Sequence, residues 1–175
     1  MPLSISLTED AVLTAVRTLL LAILPAGWEV ITGQANRVPE PKSVNFVVMT
    51  PASRVRLSTN TDAWPLDNPA PAAIDVAHGV EVKFQLDIHG PGGADAGSLI
   101  ATIMRDQWGV EQLKNSGITP LYANDGRQLP FLNAENQYED RWVMEASFQI
   151  APSVSTPAEF AATLDPIVHP PIGGQ

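Results

Sequence analysis

From Val80 to His89 apolar and polar residues alternate without a break. Val80, Val82, Phe84, Leu86 and Ile88 fall on one face, and Glu81, Lys83, Gln85, Asp87 and His89 on the other. That period predicts a half-buried strand whose apolar face needs a cover. Gly90-Pro91-Gly92-Gly93 can turn but cannot continue a ladder, and Leu99, Ile100, Ile103 and Met104 follow at helical spacing. The strand is therefore expected to hand over to a helix ending at Trp108-Gly109, with Gly109 as its C-cap. Trp142, Met144, Ala146, Phe148 and Ile150 alternate with Arg141, Glu145, Ser147 and Gln149. This second long strand is expected to pair antiparallel with the first. The cover is supplied near the start of the chain. Val12, Leu13, Val16, Leu19, Leu20, Ile23 and Leu24 repeat at three and four residues up to Pro25-Ala26-Gly27, which predicts an amphipathic helix about 25 Å long. Ser6 and Glu9 stand at the spacing of its capping box.

The remaining elements carry weaker signals. Trp28 to Ile31 reads as a short edge strand, and the prolines of Asn36-Arg37-Val38-Pro39-Glu40-Pro41 as an ordered crossing loop. Val44–Met49 and Arg54–Ser58 read as a hairpin turning at Thr50-Pro51-Ala52-Ser53. Asn60 to Ala77 reads as a long excursion ordered by a partner. A short helix is expected from Val110 to Asn115, and loop from Ile118 to Gln137. In the tail, Thr156 as N-cap with Pro157 and Glu159 in the first turn predicts a small helix, followed by an extended end. The fold class this order implies is α+β, a mostly antiparallel sheet flanked by helices. Residues 1–150 form the single domain and residues 151–175 the short helix and tail.

Composition narrows the function. The chain has 175 residues and is 45% apolar, enough for one domain with a full core. Ten Lys and Arg against nineteen Asp and Glu give a formal charge of −9, and the basic residues are scattered singly. That argues against a surface built to bind nucleic acid. Without cysteine there is no disulfide framework and no thiolate metal site or nucleophile. The apolar run Leu19–Leu24 is too short to span a bilayer and follows Glu9 and Asp10, so no targeting segment or membrane anchor is expected.

The residues admit four chemical readings. Gly90 to Gly97 follows a strand and opens a helix as a phosphate cradle would, yet Asp95 stands where the dinucleotide fingerprint needs glycine, and Asp87 and Asp95 repel phosphate. A plain turn with a helix cap accounts for it. His78, His89 and His169 are far apart, and Asp87-Ile88-His89 supplies only two ligands for a metal. Glu135, Glu139 and Asp140 cluster near Asp125, without a placed proton-transfer partner other than Tyr138. No serine sits in a nucleophile elbow. Neither catalytic residue, cofactor nor metal is expected. The density of polar residues in loops, at Arg37–Lys42, Ser58–Asn60 and Asn124–Arg141, points instead to recognition, or to side chains that satisfy loop backbone.

The segments Arg37-Val38-Pro39-Glu40-Pro41, Phe46-Val47-Val48-Met49-Thr50-Pro51, Arg56-Leu57-Ser58-Thr59-Asn60 and Asp87-Ile88-His89-Gly90-Pro91 carry a resemblance. So above all does Pro120-Leu121-Tyr122-Ala123-Asn124-Asp125-Gly126-Arg127-Gln128-Leu129-Pro130, with Asn133, Glu135, Gln137-Tyr138-Glu139 and Arg141-Trp142. Together they resemble the phage neck and tail terminator family of contractile-tailed phages and prophages, over roughly Glu29 to Ile150. The resemblance implies a virion structural protein and no enzyme: a tail-terminator-like α+β subunit assembled in the host cytoplasm. It implies a homo-oligomeric ring, typically of six, at the neck, which caps tail tube and sheath and joins them to the head connector, with DNA in the lumen. Arg37, Arg56, Asn60, Arg127, Gln128, Glu139 and Arg141 are then the expected contacts to neighbouring subunits or partners. The alternatives are an adjacent connector ring of the neck, or a small ligand-binding module or enzyme using the 124–141 loop as a pocket.

Overall fold

The computed structural model describes residues 3–33, 41–64, 73–132 and 138–158. The elements run α1 (Glu9–Ile23), β1 (Glu29–Thr32), β2 (Phe46–Arg56), β3 (Thr61–Ala63), β4 (Ala73–Ala77) and β5 (Val80–His89). They continue with α2 (Gly93–Ile103), α3 (Gln107–Leu113), β6 (Ile118–Ala123), β7 (Arg127–Gln128), β8 (Phe131–Leu132), β9 (Tyr138–Glu139), β10 (Arg141–Ile150) and β11 (Ser153–Pro157). The main sheet has the order β1-β2-β5-β10-β6, with β7 also paired to β10; all its pairs are antiparallel except β1 with β2. A small β8–β9 hairpin stands apart. The fold class is α+β, as expected.

The two alternating stretches form the centre. β5 and β10 pair over their full lengths, from Val80 opposite Ile150 to His89 opposite Arg141. Antiparallel partners project to the same side, so the two apolar faces merge into one. Val82, Phe84, Leu86, Met144, Ala146 and Phe148 lie buried there, with Phe84 and Phe148 edge to face at 5.9 Å between ring centroids. Val12, Val16, Leu19 and Leu20 of α1, Ala96 and Ile100 of α2, and Leu113 of α3 close the same core from above. The helices thus cover one face of the sheet, as the apolar periodicity requires.

Beyond the core the three central strands do not stop. β2 leads into β3, β4 leads into β5, and β10 leads into β11, and the second sheet has the order β11-β4-β3. Leu57 N–H to Gly79 C=O (2.9 Å) carries the pairing across the junction. The result is a three-stranded arm whose β3, β4 and β11 contain no fully buried residue. Its edge is tied to the N-terminus, where Ile5 bridges to Val154 and Ser6 exchanges hydrogen bonds with Ser153.

Several local signals give way to tertiary pairing. Thr50-Pro51-Ala52-Ser53 is no turn, because β2 runs through it as one strand with a bulge between Pro51 and Ser53. The surplus residue is absorbed by the bulge, and proline is tolerated where a strand lies on an edge. Thr8 caps α1 in place of Ser6, accepting from Ala11 N–H, because Ser6 is drawn to Ser153. Gly109 is no C-cap. It lies within α3, where a Cβ would sit 2.5 Å from the Ile103 carbonyl, so it lets α3 fold back closely on the end of α2. That helix starts at Asp106, whose side chain accepts from Trp108 N–H, and covers 107–113 where 110–115 was expected.

The stretch read as loop from Ile118 supplies β6, β7 and β8, Pro120 being accommodated on the edge strand. Part of the 60–77 excursion is β3 and β4. Thr156 and Pro157 pair with Ile74 and Ala73 as strand, not as the start of a helix. The crossing loop at 36–41, except Pro41, and the tail beyond residue 158 lie outside the described residues.

Phe148→Ala is expected to cost about 3–5 kcal/mol by leaving a cavity beside Phe84, read as a lower urea midpoint at unchanged slope. Thr8→Ala is expected to cost about 1 kcal/mol in the same assay, whereas Ser6→Ala leaves the α1 cap intact.

Candidate functional site

The residues expected at an interface are separated by the fold into two groups. Arg141 opposes His89 at the far end of β5, Gln128 and Arg127 pair with Trp142 and Val143, and Glu139 precedes Arg141 by two residues. Arg56 opposes Val80 at the near end of β5, and Asn60 accepts from its guanidinium. The ten-residue ladder between them spans about 30 Å. Arg37 lies outside the described residues, as do Asn133, Glu135 and Gln137.

At the far end the organising group is Asp87, 6% exposed. Arg141 lies diagonally across the ladder and donates both Nε (3.0 Å) and Nη2 to its Oδ1, while Gln85 Nε2 donates to its Oδ2 at 2.8 Å. A carboxylate this buried needs both oxygens occupied, and the strand alternation brings Gln85 to the same face two residues away. Phe46, opposite His89 on the other side, stacks on its ring at 4.5 Å and 5°. His89 is thus stacked on the Phe46 ring and lies across the ladder from Arg141. Its Nδ1 is buried without a hydrogen-bond partner among the described residues, so the tautomer with the proton on Nε2 leaves only an acceptor unmet. Burial, and next the charge of Arg141, push its pKa below the usual 6.5, against the opposite pull of Asp87 and Glu139.

Around this centre the 124–141 loop is tied to β10. Asn124 accepts from Glu145 N–H at 2.6 Å, Leu129 N–H donates to Arg141 C=O at 2.8 Å, and Gln128 reaches Asp140 at 3.3 Å. Arg127, Gln128 and Glu139 remain exposed. A groove of about 380 Å³ opens beside Phe46, Pro91, Tyr138 and Asp140. The glycine turn below it is shaped by packing. Gly90 has φ +103°, and a Cβ there would strike the Val44 carbonyl at 2.6 Å; one on Gly93 would meet Trp142 at 2.8 Å. Asn45 Oδ1 faces Gly92 N–H at 3.5 Å. These contacts account for the glycines without a phosphate.

At the near end Arg56 lies along the chain. Its Nε donates to Ser58 C=O at 2.7 Å, and Ser58 Oγ accepts from Gly79 N–H at 2.9 Å. The group fixes the crossing from main sheet to arm. Sequence reasoning missed Gln85, Phe46 and Ser58 as partners. The signal for Gln85 was its place on the polar face of the strand beside Asp87. Among the described residues no three His, Asp or Glu side chains gather as metal ligands would.

The His89 site makes stability depend on pH. The folded pKa lies below the unfolded one, so protonation opposes folding. Stability is unaffected by this group well above pH 6.5 and is lost as the pH falls from there into the folded-state range. His89→Phe keeps a ring beside Phe46, and its urea midpoint is expected to fall less than that of the wild type between pH about 7.5 and about 5.5. Arg141→Ala leaves Asp87 buried and unpaired and is expected to cost about 2–4 kcal/mol. Asp87→Ala on top of it is expected to cost less than the sum of the single changes, measured as a double-mutant cycle.

The model of the family described as phage neck terminator protein matches residues 10–172. No curated protein matches the chain. Among solved structures, the chain is similar to the cryo-EM structure of an extracellular contractile injection system, the PVC sheath/tube terminator in its extended state. The TM-score is 0.44 and the identity 10%, over 96% of this chain and 66% of that one. The chain therefore spans just under two thirds of that protein's length. The matched segment begins within α1, takes in every later strand and helix of the fold, and extends past β11, so this chain belongs to the phage neck terminator family.

Proposed function

We propose that the protein is a virion structural subunit that closes the phage tail at the neck as a ring, typically of six copies, and joins tail tube and sheath to the head connector. Membership of the neck terminator family over residues 10–172 carries the reading. The fold supports the ring. Polar groups sit at two ends of one stiff sheet, about 30 Å apart, and they differ in composition. A ring that closes head to tail needs two different patches on each copy. Arg56 and Asn60 belong to one, and Arg127, Gln128, Glu139 and Arg141 to the other, with Arg141 acting through the hold it has on Asp87. Arg37 is placed with these contacts on the sequence alone.

Size and charge suit a lumen. A compact chain of this length has a radius of gyration of about 16 Å, or an equivalent sphere about 40 Å across. Six such spheres in contact leave an opening of similar width, enough for duplex DNA. A net charge of −9 lets the duplex slide instead of sticking. The subunit's place is then the virion neck, after assembly in the host cytoplasm, without enzymatic turnover, cofactor or membrane. Among the described residues no helix is long and apolar enough to cross one.

Phage particles carrying a labelled copy are expected to show label between head and tail, and label on the capsid shell or on fibres would reject the reading. Arg127→Ala alters an exposed side chain and is expected to change stability by no more than about 0.5 kcal/mol while producing full heads and unjoined tails. Normal virions from that variant would remove Arg127 from the interface.

A further inference from the structure

β1 covers β2 only from Phe46 to Met49, yet β2 runs on to Arg56 and β3 continues beyond it. Residues 51–63 are all exposed, and among the described residues no strand pairs with this side. The backbone direction follows from two bonds. Met49 C=O accepts from Gly33 N–H, away from β5, and Leu57 N–H donates to Gly79 C=O, towards β5's strand. Alternate residues of an antiparallel ladder send their main-chain groups to opposite sides. Counting back from Leu57, Val55 points inward, and Arg54 and Arg56 direct their N–H and C=O groups outward.

Their side chains oppose Val82 and Val80, so both rise on the helix side of the sheet, where Glu9 lies 3.8 Å from Arg54. Main-chain groups with no partner among the described residues and two positive charges thus share one short edge of a chain whose net charge is −9. The same edge of a second copy fits poorly. Two such edges paired antiparallel about Val55 would set Arg54 of each against Arg56 of the other, and like charges placed opposite repel. The same charges favour a strand that carries carboxylates on alternate residues.

We propose that the edge at Arg54–Arg56 takes up an extended acidic segment of another protein as an added strand. This is argued from the edge and does not rest on the ring reading, although the two share Arg56. The probe is a short fluorescent peptide alternating valine and glutamate, with a valine–lysine peptide as its counterpart, titrated into the full chain. The glutamate peptide is expected to bind and to slow amide hydrogen exchange at Arg54 and Arg56, while the lysine peptide does neither. Arg54→Glu with Arg56→Glu is expected to weaken binding at least about tenfold. Arg54→Pro, which removes one outward N–H, is expected to weaken it further than Arg54→Ala does. Equal binding of both peptides, no binding up to about 1 mM, or unchanged exchange at the two arginines would overturn the proposal. So would protection that grows with protein concentration in the absence of peptide, which would assign the edge to a second copy.

Discussion

The pairing of β5 with β10 is the constraint on which the other parts depend. Ten consecutive residues of each strand face one another, apolar with apolar beneath the helices and, on the opposite side, polar with polar except where Val143 lies opposite Asp87. A slip of one residue would turn Phe84 or Phe148 out to water and bring Asp87 or Arg141 into the core, so the register is strongly specified. Each face has its own lock. The two phenylalanines meet edge to face within the core, and Arg141 reaches diagonally to Asp87 on the outside. The ion pair holds the far end of the ladder in place, and with it the Phe46–His89 stack and the end of the 124–141 loop.

Because the three central strands continue into the arm, stiffness extends beyond the region the helices cover. The arm has no buried residue of its own in β3, β4 or β11, so its order derives from continuity with the core strands and from the Arg56–Ser58–Gly79 contacts at the junction. A part assembled among other proteins gains from this arrangement. Contacts at either end of a rigid sheet hold their spacing, and little order must be created when partners meet. Loops tied down by Asn124, Leu129 and Gln128 serve the same end.

Glycine and proline act here through their neighbours more than through local turns. Gly90, Gly93 and Gly109 each stand where a Cβ would strike backbone or an aromatic ring from another element. Pro51 and Pro120 lie in edge strands. Read locally, such residues announce turns, caps and loops. In the folded chain they permit close approach or occupy sheet margins.

This contrast separates what was legible in the chain from what was not. The strict alternation at Val80–His89, the near alternation at Arg141–Ile150 and the helical spacing of Val12 to Leu24 were enough to place the central ladder, its antiparallel sense and its cover, because periodicity records which face is buried. The polar 124–141 and 56–60 segments were legible as candidate contacts. Their division between opposite ends of the sheet was not. Nor was the run of β2 through Thr50–Ser53, the parallel docking of β1, the arm, or the hold of Gln85 and Arg141 on Asp87. Each depends on which segments lie side by side after folding, and pairing partners distant in sequence leave no mark on local residue spacing. Asp87 shows the reason most plainly: its spacing marks it as a polar-face residue, and only the strand laid against it supplies the arginine that makes its burial tolerable.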